Sequence, residues 1–460
     1  MKKLLIILFL FFVNAGVVKA KTTGETIIVH KDGTFEVVEG KYVGILEEGD
    51  YTQPNFVYEL NTETYQDKQW YLDDLAGIQY TAALKELEGT KLSDIIVAVL
   101  DTGVDYTHLD LKDMMWDGKD CVSDTGSKLG DCIHGFSYAY GGESKDPHPM
   151  KGAGYGGGYY HGTHVAGIIG AAINGGGMAG LAKNVKIMAI RGDSGEGLET
   201  VDLARGIAFA RQNGAKVINA SWGSGCGKPE DMDDRLLKSE IAKFPGIFVA
   251  SAGNATCNHD ARFTVPSSYR SALENMIIVA ANDSSDKLTS FSDYGGKTVD
   301  VAAPGKEIFS TVPGNKFAFL DGTSMASPVV AGIVGAIWGI NPKTEISMVA
   351  KIIRDTVDKP SYISGKVMYG RVNFLSAAKE AKLKMGGGTV TDTPTPPSCP
   401  SCKGIGDYSC DGKVDGLDYS WWKQEFVDKT KHDGKWQASS TCKETISSDD
   451  FSAWRINYLK

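Results

Sequence analysis

Beyond its first twenty residues this 460-residue chain holds no run of the ~18 uninterrupted apolar residues that a membrane-spanning helix requires, which excludes such a span there. Positive charge is in short supply, with 48 Lys and Arg against 57 Asp and Glu and a net charge of −9. No local basic cluster offsets that balance, so the positive face demanded by a nucleic-acid backbone is missing. The HExxH pattern of helix-borne zinc enzymes is also absent. What is present is 42% apolar and 23% charged, the composition of a folded chain. At roughly 150 residues per domain the length allows about three domains. Glycine is abundant at 55 residues, which points to many tight turns and close backbone approaches.

Lys2 and Lys3, the apolar run Leu4 to Val13, and a small-residue ending in which Val18 and Ala20 flank Lys19 predict a secretory signal over residues 1–20. Export to an oxidising compartment makes disulfides the natural fate of the cysteines. These fall in two sets, Cys121, Cys132, Cys226 and Cys257, then Cys399, Cys402, Cys410 and Cys442. Between the sets runs GGGTVTDTPTPPSCP, over residues 386–400, whose Gly, Thr and Pro cannot bury a core and predict a solvated linker. The chain thus divides into a signal (1–20), a short N-terminal segment (21–61), a large domain (62–385), the linker and a small domain (401–460).

The large segment alternates β-branched runs with helical periods, the pattern of an α/β fold with a parallel sheet and crossover helices. Strands are predicted at Ile95 to Leu100, Val185 to Ile190, Val217 to Ala220, Ile247 to Ser251 and Ile277 to Ala280, with helices at Thr200 to Gln212 and Ile346 to Val357. Ligands of such sheets sit at the carboxyl ends of the strands. IIVAVLDTGVD puts Asp101 at such an end, HGTHVAGIIGAA puts His161 at the start of an apolar helix, and GTSMASPVVAGIVGAIWG puts Ser324 at the amino end of another. A serine hydroxyl attacks only when a base takes its proton, and an imidazole serves as that base when a buried carboxylate fixes its tautomer. Blander readings exist for each residue. A second DTG at Asp124 lies only 23 residues on, between two cysteines, too near for a two-lobed aspartic site. His161 and His164 share a helix face as metal ligands do, but without HExxH; Ser324 also suits a plain N-cap.

DTGVDYTHLDL, HGTHVAGIIG and DGTSMASPVVAG together resemble the three signature blocks of the subtilisin-like serine peptidases, over about Asp67 to Leu383. The resemblance implies a parallel-sheet catalytic domain with flanking helices and a triad of Asp101, His161 and Ser324. Through ASAGNAT it implies an oxyanion-hole amide at Asn254, paired with the Ser324 backbone N–H. NASWGS resembles the strand that binds substrate backbone, which gives that role to Ser221, Trp222 and Gly223. Thr264, two residues before Pro266, falls at the base of the first specificity pocket, and no acidic residue accompanies it, so a broad apolar preference is expected. Disulfides are expected between Cys226 and Cys257, bracing the cleft wall, and between Cys121 and Cys132. Asp110 matches the family carboxylate at a structural calcium, although its partner loop NGGGMAG is short. Residues 21–61 carry strand-like runs and end in QPNFVYEL, which resembles the tail of the family's propeptide and implies a zymogen.

Beyond the linker, GDYSCDGKVDGLDYSWWKQEF sets Asp407, Ser409, Asp411, the Lys413 backbone, Asp415 and Asp418 at positions 1, 3, 5, 7, 9 and 12 of a calcium loop, with Gly412 at its sharp turn. A second copy 32 residues on aligns Cys442 with Cys410, Asp450 with Asp418 and Trp454 with Trp422. The duplication resembles a dockerin module, a small α-helical calcium-loop domain, and implies a cohesin-like partner on a scaffold or cell surface. Cys399, Cys402, Cys410 and Cys442 read as disulfides, with zinc the alternative. The expectation is therefore a secreted or surface-associated serine endopeptidase acting on proteins or peptides, supported by structural Ca2+ and needing no cofactor for the chemical step. A reading from another class is a catalytically silent surface-binding protein whose C-terminal module is the working part. Ser439, Thr441 and Lys443 stand where the second loop needs its first ligands. Calorimetry on the full chain should accordingly find about one strong calcium site in this module. Asp418→Ala should remove it and Asp450→Ala should leave most of it; equal losses would show that the second repeat has been misread.

Overall fold

Ile95 to Leu100 carries no polar side chain, and such a run is stable as a strand only where both of its faces are covered. The structure, a computed structural model, describes residues 21–32, 34–41, 43–57, 65–74, 77–139, 142–150, 158–193 and 197–386. The predicted signal, nearly all of the linker, and the calcium loop with Asp407, Ser409, Asp411, Lys413, Asp415 and Asp418 lie outside them. The chain divides into two units, Met1–Lys382 and Leu383–Lys460, and all of the described strands belong to the first.

The N-terminal strands β1 (Lys21–Val29), β2 (Phe35–Glu39) and β3 (Tyr51–Val57) form an antiparallel sheet in the order β2-β1-β3. Ile28 is buried there, and His30 Nδ1, just past β1, meets Asp50 Oδ2, just before β3, at 2.7 Å. In chain order there follow β4 (Ile95–Asp101), a hairpin of β5 (Cys121–Val122) and β6 (Lys128–Gly130), β7 (Gly135–Ser137), β8 (Val185–Arg191), β9 (Val217–Ala220), β10 (Ile247–Ser251), β11 (Met276–Asn282) and β12 (Val301–Pro304). A second hairpin, β13 (Ile308–Val312) and β14 (Lys316–Leu320), precedes the short β15 (Gly370–Arg371). The helices are α1 (Tyr80–Leu87), α2 (Gly158–Gly170), α3 (Thr200–Gln212), α4 (Pro229–Met232), α5 (Arg235–Lys243), α6 (Thr323–Trp338), α7 (Ile346–Asp355) and α8 (Phe374–Met385).

Eight strands make one parallel sheet in the order β15-β12-β11-β10-β9-β4-β8-β7. From β4 the chain goes first to the edge strand β7, comes back to β8 beside β4, and then crosses to the other side of β4 as β9. The strand order therefore reverses at β4, which makes the end of that strand, Asp101, a topological switch point. Helices α2 and α6 pack on the sheet and on each other. Residues of α3 and α5, among them Leu203, Phe209, Leu237 and Ile241, cluster with Leu100, Ile190 and Ile218 of the strands.

Strands β9 and β10 and helix α3 have the predicted bounds, while β4 and β8 each run one residue further and β11 starts and ends beyond its predicted limits. Helix α7 stops at Asp355, short of Val357, because Asp358 leaves the helical path to exchange two backbone hydrogen bonds with Arg371, each 2.8 Å. Cys121 is bonded to Cys132 with Cα atoms 5.8 Å apart. No helix among the described residues is long and apolar enough to cross a membrane.

One buried ion cluster ties α7 to the sheet. Asp300 is fully buried and accepts from Arg270 Nε at 3.0 Å, Arg354 Nε at 2.9 Å and the Ile278 N–H at 2.9 Å. Asp300→Ala strands two cations in a low-dielectric site and should cost ~3–5 kcal/mol in denaturant unfolding of a Ser324→Ala background, which prevents self-digestion. A loss below about 1 kcal/mol would mean that water reaches the cluster and screens it.

Candidate active site

Asp101 ends β4, 1% exposed, at the edge where helix termini converge. Its Oδ1 accepts from His161 Nδ1 at 2.7 Å and from the Thr102 N–H at 2.8 Å. Its Oδ2 is buried with no hydrogen-bond partner among the described residues. A buried carboxylate satisfied on one side only is costly unless a cation faces it, and the imidazole is the group placed to become one. Burial pushes the His161 pKa down, but the Asp101 charge and the hydrogen bond to it together prevail, so the net shift is upward. Three residues on, His164 has the opposite fate. Its Nε2 lies 3.0 Å from Ile308 O and 3.1 Å from Ala318 O, and burial pushes its pKa down to about 3. His164 is thus a neutral strut between α2 and the β13–β14 hairpin.

Ser324 is the second residue of α6 and the only residue of that helix that is not buried. Pro328, four residues on, has no N–H, so the Ser324 carbonyl lacks its usual helical donor. Ser221 Oγ supplies one instead, at 2.8 Å, and the Ser324 hydroxyl donates to Ser221 O at 3.0 Å. Below this pair, Asn219 Nδ2 donates to Ser221 Oγ at 2.8 Å and Ser327 Oγ donates to Asn219 Oδ1 at 2.8 Å, which completes a buried link between β9 and α6. Asn254 lies in the turn after β10. Its Oδ1 accepts from the Thr323 N–H at 2.9 Å and from Thr323 Oγ1 at 3.0 Å, which fixes the amide plane. The other end, Nδ2, lies close to the Ser324 N–H: a Cβ built on Gly322 would stand 3.6 Å from the first nitrogen and 3.5 Å from the second. The Ser324 N–H is one of the first-turn donors that an α-helix leaves unpaired.

Trp222 is anchored by its indole N–H to Leu100 O at 2.8 Å. Beyond it the chain pairs with the segment before Pro266, Ser224 N–H to Val265 O at 2.7 Å and Gly227 N–H to Phe263 O at 2.9 Å. The bond between Cys226 and Cys257, Cα atoms 6.3 Å apart, joins this wall to the loop carrying Asn254. A cavity of about 430 Å³ opens beside Trp222 and Gly223, lined also by Leu198, Leu203, Met232 and Val265. Thr264 is buried, its N–H bonded to Ser268 Oγ at 3.0 Å. Thr323, Asn219 and Ser327, which hold these groups, lie inside the DGTSMASPVVAG and NASWGS segments, but the resemblance does not single them out within them. Their one signal is position, beside Ser324 or two residues before Ser221.

Residues 93–382 match the profile of the subtilase family, Peptidase_S8. The chain belongs to the subtilase family. It is 36% identical over 338 residues to the thermophilic serine proteinase of Bacillus sp. (strain AK1), covering 71% of this chain and 72% of that protein. It is 36% identical over 289 residues to thermitase of Thermoactinomyces vulgaris, covering 62% of this chain and 88% of the other. A solved protease structure from Pseudoalteromonas arctica superposes with a TM-score of 0.55 at 26% identity, covering 69% of this chain and 98% of that one. This subtilase is accordingly a subtilisin-like serine endopeptidase.

Subtilases commonly bind structural calcium, and Asp110 is the residue to test for it here. Its Oδ2 accepts from the Met178 N–H at 2.8 Å, and Gly177 (φ +59°) packs so tightly that a Cβ there would lie 2.1 Å from the same oxygen. The neighbouring candidate oxygen, Gln69 Oε1, accepts from the Ala179 N–H at 2.8 Å. A hard cation needs converging oxygens, whereas this shortened loop presents N–H donors to the two side chains. As closed, the Asp110 site of this subtilase does not fit a cation: the backbone has taken its place.

The raised His161 pKa has a readable sign. A histidine that serves as general base must be neutral, so activity carried by His161 should be full at high pH and fall as pH drops through a midpoint above the ordinary histidine value of ~6.5. Asp101→Asn removes the charge that raises the midpoint while burial remains; the midpoint should move down, and kcat should fall on the order of 10⁴-fold. A pH–rate profile on a peptide substrate checks both. An unchanged midpoint in the variant would show that Asp101 does not set the base.

Proposed function

We propose that Ser324, His161 and Asp101 act as nucleophile, general base and orienting carboxylate in the hydrolysis of internal peptide bonds. The observation that carries this reading is the 2.7 Å contact of His161 Nδ1 with Asp101 Oδ1, which leaves Nε2 as the nitrogen to take the serine proton. An extended substrate pairing with Ser221, Trp222 and Gly223 donates a backbone N–H to Ser221 O, the acceptor that the Ser324 hydroxyl occupies in the free protein. The displaced hydroxyl turns to His161. Oγ bonds to the substrate carbonyl carbon as its proton passes to Nε2, and the oxyanion forms between Asn254 Nδ2 and the Ser324 N–H, at the positive end of α6. The amine leaves with the proton from Nε2. Water then attacks the acyl-enzyme by the reverse sequence of proton transfers.

The chain as a whole reads as a secreted zymogen. Residues 1–20 direct export, residues 21–61 form a propeptide whose three strands precede the catalytic domain, and residues 401–460 attach the enzyme, calcium-dependently, to a cohesin-like surface protein. The signal-like N-terminus and the duplicated Asp-rich loop pattern support that arrangement.

Ser324→Ala and His161→Ala should each abolish most turnover, and the double variant should be barely worse than either, because the groups act as a unit. A fluorophosphonate probe should label the wild type and spare Ser324→Ala. The inactive variant should also retain residues 21–61 by mass spectrometry when expressed in a protease-poor host. Additive losses, or identical N-termini in active and inactive proteins, would count against the assigned roles and against self-processing respectively.

A further inference from the structure

The oxyanion donor works only if its loop is held rigidly, since displacement of a reacting group by about 1 Å costs up to ~10²-fold. One buried carboxylate holds that loop. Asp293 Oδ1 accepts the N–H groups of Ala255 at 2.8 Å and Cys257 at 2.7 Å, the residues on either side of Thr256 just past Asn254. Its own N–H donates to Gly253 O at 2.8 Å, on the near side of Asn254. Gly253 has φ +127°, and a Cβ there would stand 2.3 Å from Asp293 Oδ2. One residue thus grips the turn both before and after the amide.

The second carboxylate oxygen reaches the other way. Asp293 Oδ2 lies 3.2 Å from His259 Nε2, with side chains 2% and 0% exposed. Thr264 Oγ1 is 3.3 Å from the same nitrogen and 3.4 Å from Nδ1. Thr264 is the residue expected at the floor of the first specificity pocket. Cys257, His259 and Asp293 converge within 4.8 Å, as metal ligands do, but the cysteine sulfur is committed to Cys226. The cluster is built as a clamp.

We propose that Asp293 and His259 are positioning residues that hold the Asn254 amide in register with the floor of the first specificity pocket, so that the side chain bound in the pocket influences how well the oxyanion is stabilised. This rests on the peptidase reading above. Neither residue touches the scissile bond, so both act through Asn254 and Thr264.

The test is a double-mutant cycle on the full-length enzyme. Asp293→Ala should lower kcat about 10- to 100-fold, below the ~10²–10³-fold cost of deleting an oxyanion donor, with KM changed less than about threefold. In an Asn254→Ala background the same substitution should cost less than about threefold more, because the group it positions is gone. Asp293→Asn, which keeps an oxygen for Ala255 and Cys257, should recover most of the activity. His259→Gln should narrow the kcat/KM ratio between substrates with a large apolar side chain and with glycine before the scissile bond. Should Asp293→Ala fail to fold, the cycle is run with Asp293→Asn and His259→Gln, whose losses must likewise shrink in the Asn254→Ala background. Full additivity with Asn254→Ala, or an unaltered substrate ratio in His259→Gln, overturns the proposal. If Asn254→Ala alone leaves kcat intact, it is the reading of the oxyanion hole that fails, and the two failures are distinguishable.

Discussion

The arrangement at the cleft depends on how closely two apolar helices lie against the sheet and each other. Every residue of α6 except Ser324 is buried, and so is α2 from Gly162 to Gly170. Helices this apolar have no solvent face and must be enclosed. Glycines permit the approach: a Cβ on Gly335 of α6 would meet Val185 of β8 at 2.7 Å, and one on Gly170 of α2 would meet the same valine at 2.5 Å. With both axes held, their amino-terminal ends come to the carboxyl edge of β4, where Asp101 waits. Ser324 and His161 reach the cleft because the remainder of each helix is committed to the core.

Within that frame, polar groups take their character from what the backbone leaves unpaired. Pro328 removes one N–H, the Ser324 carbonyl turns to Ser221, and β9 is thereby tied to α6. His164 meets two carbonyls and stays neutral, whereas His161 meets one buried carboxylate and is drawn toward its charged form. The two histidines share a helix and differ only in what faces them. Their functional difference therefore lies in tertiary contacts and in no property of the helix itself.

Much of this is legible in the sequence because it is carried by short, local patterns. β9, β10 and α3 are readable to the residue, since each is a β-branched run or helical period bounded by polar or glycine residues. The positions of Asp101, His161 and Ser324 at the ends of a strand and two helices are readable from element boundaries plus signature blocks. The parts that stay hidden depend on distant partners. β12 and β15 are too short and too poor in β-branched residues to announce themselves, and exist because a neighbouring strand offers its edge. Asp293 sits in FSDYG, a stretch that reads as an ordinary turn, yet its carboxylate grips a loop some 36 residues earlier in the chain. The end of α7 departs from its helical period because Asp358 pairs with Arg371, an interaction that no local pattern encodes.

At Asp110 a tertiary contact, rather than the local pattern, decides what faces the carboxylate. The aspartate stands in DTGVDYTHLDL, and its burial is unfavourable for a bare charge. A cation is one remedy; a hydrogen-bond donor is another. NGGGMAG is short, and with Gly177 at positive φ it brings the Met178 N–H against the carboxylate. A single N–H offsets less of the desolvation than a divalent ion would, and the Asp110 pKa is displaced upward, burial outweighing the Met178 hydrogen bond. A carboxylate left partly uncompensated in this way tolerates neutralisation, whereas a calcium ligand does not. The turn thus closes on the Asp110 carboxylate with a backbone donor from the chain itself.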